Sequence, residues 1–132
     1  MGKIAKIPFI ILIASVLLFG GASALKSSGI LGDQIRAIEV TMHGAIYLHL
    51  CASLLLGIFC RLATRHNLCL GLPVTSIFVL LLVIIDESLQ FFIPLRQFSW
   101  LDMLVNVCGI LTGTYIMNVI LRLRSNIKLL CS

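Results

Sequence analysis

Long hydrophobic segments, separated by short polar stretches, make up most of the chain. Runs without a charged residue begin near residues 7, 40, 68 and 103, and each approaches the roughly 20 apolar residues that a membrane-spanning helix needs. We expect the third run to continue as a helix toward Pro94, and the fourth helix to start after Ser99. The predicted spans are therefore about 7–25, 40–60, 68–92 and 100–121. Short linkers favour antiparallel neighbours. The pattern therefore predicts one all-α domain over residues 1–132, an integral membrane four-helix bundle.

Composition supports lipid as the solvent of this chain. It is 60% hydrophobic and 11% charged, with a mean hydropathy of +1.13, whereas soluble domains carry roughly 25% charged residues. The net charge of +5 is then mainly a topology signal, because no basic stripe interleaved with aromatic residues indicates a nucleic-acid partner. The five cysteines lack metal-ligand spacing, and we expect no structural disulfide, no metal site and no cofactor.

The distribution of lysine and arginine predicts the direction of the helices, because cytoplasmic loops of membrane proteins are enriched in both. With the N-terminus inside, the predicted cytoplasmic segments contain seven, Lys3, Lys6, Arg61, Arg65, Arg122, Arg124 and Lys128, and the outer ones contain three, Lys26, Arg36 and Arg96. Both termini are therefore predicted to be cytoplasmic. This orientation puts the polar stretch 86–106 at the extracytoplasmic face.

The first hydrophobic segment has a second interpretation. Lys3 and Lys6 precede it, and Ala22-Ser23-Ala24 fits the small-residue rule for signal-peptide cleavage. The apolar stretch is long for a signal sequence, so we expect a retained helix. Either interpretation leaves the direction of the later helices unchanged.

The third predicted helix carries two carboxylates, Asp86 and Glu87, near its outer end. Charged groups inside a membrane span are costly and are functional candidates by default. Gln90 shares a helix face with either acid, whereas the two acids lie about 100° apart on the helix. Only one of them can point directly into the bundle, and the sequence does not decide which.

The fourth predicted helix begins with a polar stripe. Ser99 and Asp102 fit a capping box, in which Asp102 serves only the helix end. Asp102, Asn106, Gly109 and Gly113 also fall on one helix face, and the last two form a small-xxx-small pair that lets another helix approach closely. We favour an interior polar site over simple capping.

Two further groups lie near this end of the predicted bundle. Arg96, in the loop between the third and fourth helices, can bind a carboxylate or phosphate in a bidentate fork, or can form a salt bridge that fixes the hairpin. On the second helix, His43 and Tyr47 follow Glu39 at one-turn intervals. His49 lies deeper and has no obvious partner in the sequence.

These residues together resemble the signature of VanZ-like membrane proteins. The resemblance rests on Glu87-x-x-Gln90, Pro94-x-Arg96, Ser99-x-x-Asp102, Asn106, Gly109 and Gly113, with His43 and Tyr47 upstream, and covers roughly residues 39–113. The chain departs from this signature at two positions. Val40 follows Glu39 where family members often have a lysine, and Leu95 precedes Arg96 where they commonly have a glycine. The resemblance implies a multi-pass protein of the bacterial cytoplasmic membrane, in a family named for resistance to the glycopeptide teicoplanin.

Three functions are compatible with these features. The favoured one is an envelope protein that binds a lipid headgroup, a lipid-linked cell-wall precursor or a glycopeptide and modulates teicoplanin-type susceptibility. The second is an intramembrane hydrolase or transferase for a lipid-linked phosphate, with Glu87, Asp102 and His43 as acid–base candidates and Arg96 stabilising negative charge. The third is a structural subunit of a membrane complex. Membrane lipids are expected partners, and an oligomer is compatible with all three.

Overall fold

The computed structural model describes residues 5–27, 32–41, 45–64, 68–69, 71–92 and 98–130, which are almost entirely helical. Four of the helices are long and apolar enough to cross a membrane, so the predicted all-α architecture with four membrane helices is confirmed. The elements are α1 (Lys6–Ser27), α2 (Gly32–Thr41), α3 (Ala45–Ala63), β1 (Leu68–Cys69), β2 (Leu72–Pro73), α4 (Val74–Leu89) and α5 (Trp100–Leu130).

Several boundaries differ from the predicted ones. Val40 and Thr41, predicted to open the second span, are instead the last residues of a separate helix, α2, and α3 begins at Ala45. Residues at the predicted start of the third span form the small antiparallel pair β1–β2, which turns at Gly71 with a positive φ of 79°, a conformation that glycine adopts without steric cost. The last helix continues past Leu121 to Leu130.

Helix ends follow local sequence chemistry. Pro8 lies in the first turn of α1, where its missing N–H would have had no intrahelical partner. The hydroxyl of Ser99 accepts a hydrogen bond of 3.2 Å from the backbone N–H of Asp102, which is the capping half of the predicted box. At its far end α4 tightens into a 3-10 turn over Gln90–Phe92 just before the Ile93-Pro94 step.

The centre of the bundle is the packed pair of α3 and α5. Its close approach depends on glycines: a Cβ on Gly113 would collide with the carbonyl of Leu54, and one on Gly109 would collide with the Ser53 hydroxyl. On the opposing helix, a Cβ on Gly57 would lie 2.9 Å from the backbone nitrogen of Thr114. Small residues on both helices therefore let the two backbones meet, as is common in membranes.

Polar and apolar side chains are distributed as expected for a lipid-facing bundle. Ser53, Ser76 and Thr114 are buried, whereas large apolar residues such as Ile7 and Phe78 are exposed. The Thr114 hydroxyl donates to the carbonyl oxygen of Gly57 at 3.2 Å and pairs with the Ser76 hydroxyl at 3.0 Å. These bonds connect α3, α4 and α5 where no water is available to satisfy polar groups.

Candidate functional site

A cavity of about 310 Å³ lies between the four membrane helices, near the C-terminal end of α4. Its apolar walls come mainly from leucine, valine and phenylalanine side chains of α1, α3 and α4. Among the described residues, six polar ones from all four helices complete the lining: Ser23, His49, Ser53, Asp86, Glu87 and Asn106. We call this space the acid cavity, because two of those residues carry carboxylates.

Glu87 is the buried carboxylate of the acid cavity. Only 3% of its surface is exposed, and Gln90 is buried to a similar degree. The Gln90 side-chain amide donates to Oε2 of Glu87 at 3.1 Å, as the three-residue spacing on one helix allows. A buried carboxylate requires such donors, so Gln90 holds the Glu87 side chain in place while Glu87 itself lines the cavity.

Asp86 contributes the second carboxylate from the edge of the acid cavity. It is exposed, in contrast to Glu87, so the structure answers which acid points into the bundle. The Ser23 hydroxyl on α1 donates to Oδ2 of Asp86 at 2.9 Å. This bond joins α1 to α4 across the opening of the cavity.

The inner wall is formed where α3 meets α5. Asn106 of α5 is buried and lines the cavity. On α3, His49 is partly exposed and Ser53 is buried; both line the same space. The Ser53 hydroxyl donates to the backbone carbonyl of Leu50 at 3.0 Å, and its side chain packs against Gly109. The glycine that allows close packing therefore lies directly beside the polar wall.

Two further predicted site residues that the structure describes, Tyr47 and Asp102, are not part of this lining. Tyr47 is 56% exposed on the outside of α3. Asp102 is partly exposed at the start of α5, where its backbone takes part in the Ser99 cap. Arg96 and His43 lie outside the described residues.

His49 and Ser53 of α3 line the acid cavity, although the sequence alone did not place either residue at the site. His49, Ser53 and Gly57 follow one another at four-residue spacing and therefore share a helix face. The same progression, from a polar residue to small residues, occurs on α5 from Asn106 to Gly113. The sequence signal for this part of the site is that α3 and α5 carry the same polar-to-small progression. It indicates a shared interface only once the two helices are known to pack together.

Charge is distributed unequally between the two ends of the bundle. Asp86, Glu87 and Asp102 occupy the end with the cavity. At the other end, the backbone N–H of Ala5 donates to the carbonyl of Ala63 at 3.1 Å, which brings the start of α1 to the end of α3. The described basic side chains Lys6, Arg61, Arg122 and Arg124 belong to these distal helix ends.

The chemistry of the acid cavity follows from its lining. The described lining residues supply two carboxylates, an imidazole, an amide and hydroxyls, and none of them is lysine or arginine. Such a set accepts hydrogen bonds from hydroxyl and amine groups, and its carboxylates attract cations. Among the described residues there is no group of three or more His, Cys, Asp or Glu arranged to hold a metal ion.

Comparison with protein families agrees with the resemblance seen in the sequence. A family model described as VanZ/LLP1 matches residues 7–122, which include all four membrane helices apart from the first residue of α1 and the last turns of α5. Comparison with curated proteins and with solved structures gives no match. The chain is therefore a member of the VanZ/LLP1 family of membrane proteins.

Proposed function

We propose that this VanZ/LLP1 family protein binds the polar part of a membrane amphiphile in the acid cavity. The candidates are a lipid headgroup, a lipid-linked cell-wall precursor and a lipid-bearing glycopeptide. Binding takes place at the extracytoplasmic face of the bacterial cytoplasmic membrane and modulates susceptibility to teicoplanin-type glycopeptides. The observation that carries this proposal is the acid cavity itself, a space with mainly apolar walls and a small set of polar side chains at one end of a membrane bundle.

The lining favours one part of such an amphiphile over another. Sugar hydroxyls and amines are hydrogen-bond donors and suit the carboxylates of Asp86 and Glu87. The α4 helix also ends beside the cavity, and the negative end of its dipole favours a cation. The proposed ligand therefore presents an uncharged or cationic polar group to the cavity.

The unequal charge distribution supports the proposed orientation. The basic residues of the described chain are concentrated at the end distal to the cavity, and basic ends of membrane helices are retained in the cytoplasm. With that end inside, the acid cavity opens toward the extracytoplasmic side. There it meets lipids of the outer leaflet, cell-wall precursors after their translocation, and glycopeptides arriving from outside.

A pair of glycine variants tests the proposal. Gly20 lines the acid cavity and Gly21 does not, yet a Cβ at either position meets no atom within 4 Å. The backbone therefore has room for a Cβ at both positions, but only Gly20→Leu places its side chain on the α1 face that lines the cavity. Native mass spectrometry of each variant in nanodiscs, with a lipid-linked precursor and with teicoplanin, measures binding.

We expect Gly20→Leu to lose most of the bound amphiphile and Gly21→Leu to bind like the wild type. The teicoplanin concentration that inhibits cells expressing each variant should follow the same order. Equal binding by both variants at wild-type level would contradict a ligand site in the acid cavity. Unchanged drug susceptibility, despite lost binding by Gly20→Leu, would contradict only the proposed link to glycopeptides.

A further inference from the structure

A second space, whose accessible surface is apolar, lies between α1 and α4. It measures about 460 Å³, and the lining residues that the structure describes all belong to these two helices, among them Phe9, Leu12 and Ile13 on α1 and Val74 and Phe78 on α4. We call it the α1–α4 groove. Its lining contains one hydroxyl-bearing side chain, Thr75, and the Thr75 hydroxyl is directed to the carbonyl oxygen of Cys60 at 2.9 Å.

The groove and the acid cavity share part of their walls. Val16, Val79 and Leu82 line both spaces. On α1, the groove is lined by positions 9, 12, 13, 16 and 17, and the cavity by positions 16, 19, 20, 22 and 23. The two sets follow one another along a broad helix face. The two spaces are therefore neighbouring parts of one slot, polar at the end with Glu87 and apolar along the rest.

We infer that the α1–α4 groove holds one hydrocarbon chain of the amphiphile whose polar part occupies the acid cavity. This inference rests on the proposed function and adds the chemical class of the ligand: an amphiphile that places one hydrocarbon chain in the groove. From Val74 to Glu87 the slot extends about 20 Å at 1.5 Å per residue, within a hydrocarbon core about 30 Å thick. One leaflet accounts for about half of that thickness, so a chain that fills the whole slot extends past the bilayer midplane toward the start of α4.

A transmembrane helix does not fit the same space. A helix about 10 Å across and 20 Å long occupies on the order of 1,600 Å³, several times the groove volume of about 460 Å³. The buried residues Leu12 and Val79 lie in the shared core of the bundle and prevent deeper entry. A flexible hydrocarbon chain is the occupant whose width and polarity agree with the walls.

Photo-crosslinking in nanodiscs of phosphatidylethanolamine and phosphatidylglycerol tests the assignment. The probe is a long-chain alkylamine that carries a diazirine either near its amine or at its terminal methyl group. Peptide mapping should find the first label on Phe19 and Ser23 and the second on Phe9, Ile13 and Phe78. The labelling pattern is compared between the wild type and two variants, so the test does not depend on a functional assay.

The variants are Ile13→Trp, which fills the groove, and Ile10→Trp, its matched control. Both isoleucines are exposed on α1, at 45% and 64%, but only Ile13 lines the groove. We expect Ile13→Trp to lose most of the terminal label in the groove and to keep the label near the amine, and Ile10→Trp to keep both.

Two outcomes would overturn the inference while leaving the acid cavity as a binding site. In one, the amine-proximal label stays in the cavity while the terminal label spreads over lipid-facing residues such as Leu104 and Tyr115. In the other, Ile10→Trp lowers groove labelling as much as Ile13→Trp does. If neither label is enriched in cavity or groove, both the inference and the proposed function fail.

Discussion

Replacement of Gly57 by alanine tests the central packing of the bundle. An added Cβ at this position would collide with the carbonyl oxygen of Ile110 and would lie 2.9 Å from the backbone nitrogen of Thr114. Both contacts are to backbone atoms of α5, which cannot rotate away as a flexible side chain does. The helices must therefore separate locally. Gly20, on α1, provides the matched control, because its added Cβ meets no atom within 4 Å.

The magnitude follows from two opposing effects. Alanine is favoured over glycine in a helix interior by about 1 kcal/mol, and this gain applies to both variants. Overpacking of a close contact costs about 1–3 kcal/mol. Separation of α3 from α5 also weakens the hydrogen bond from the Thr114 hydroxyl to the Gly57 carbonyl, worth about 0.6 kcal/mol on average in membranes. We expect Gly57→Ala to be destabilised by about 1–2 kcal/mol and Gly20→Ala to be slightly stabilised.

Reversible unfolding in mixed micelles, followed by circular dichroism as the denaturing detergent fraction rises, measures both changes. The two variants should move the midpoint in opposite directions relative to the wild type. Equal midpoints for Gly57→Ala and Gly20→Ala would refute the close α3–α5 contact at this position. Close packing against α5 would then no longer explain why position 57 is a glycine.

Three further predictions concern the hydrogen bonds of Thr114, the Glu87–Gln90 pair and the exposure of Phe92. Thr114→Val should lose about 1 kcal/mol of stability with its two interhelical hydrogen bonds, whereas Thr112→Val, on the exposed side of α5, should lose almost none in the same unfolding assay. A double-mutant cycle between Glu87→Ala and Gln90→Ala should give a coupling of about 1 kcal/mol, and zero coupling would contradict their hydrogen bond. Phe92 is exposed, and Phe92→Cys in a variant without the native cysteines should react with a membrane-impermeant thiol reagent added outside cells. If this thiol reacts only after the cells are lysed, the proposed orientation is reversed.

The helical architecture was predictable because lipid imposes a simple rule. Every backbone polar group in the hydrocarbon core must be satisfied within the protein, so long apolar runs form helices. The same rule does not set helix ends near the surface, where water can satisfy the backbone. This is why α3 starts at Ala45 rather than near Val40, and why α5 continues past Leu121.

The candidate site was less accessible to sequence reasoning, because its geometry depends on pairings between helices. Periodicity places Asn106 with Gly109 on one face of α5, but it does not say that this face meets Ser53 and His49 of α3. Nor does it show that α1 faces Asp86 through Ser23. Each of these contacts joins residues far apart in the chain, and no local pattern encodes the partner.

The two carboxylates illustrate how one step along a helix separates structural roles. Glu87 is buried and accepts a hydrogen bond from the side-chain amide of Gln90 on its own helix, so this contact lies within α4. Asp86 is exposed and receives the hydroxyl of Ser23 from α1, so its position depends on how α1 lies against the bundle. A ligand that enters between α1 and α4 would therefore displace the Asp86 contact first and reach Glu87 second. In the proposed binding mode, Asp86 and Glu87 therefore form an outer and an inner contact for the ligand.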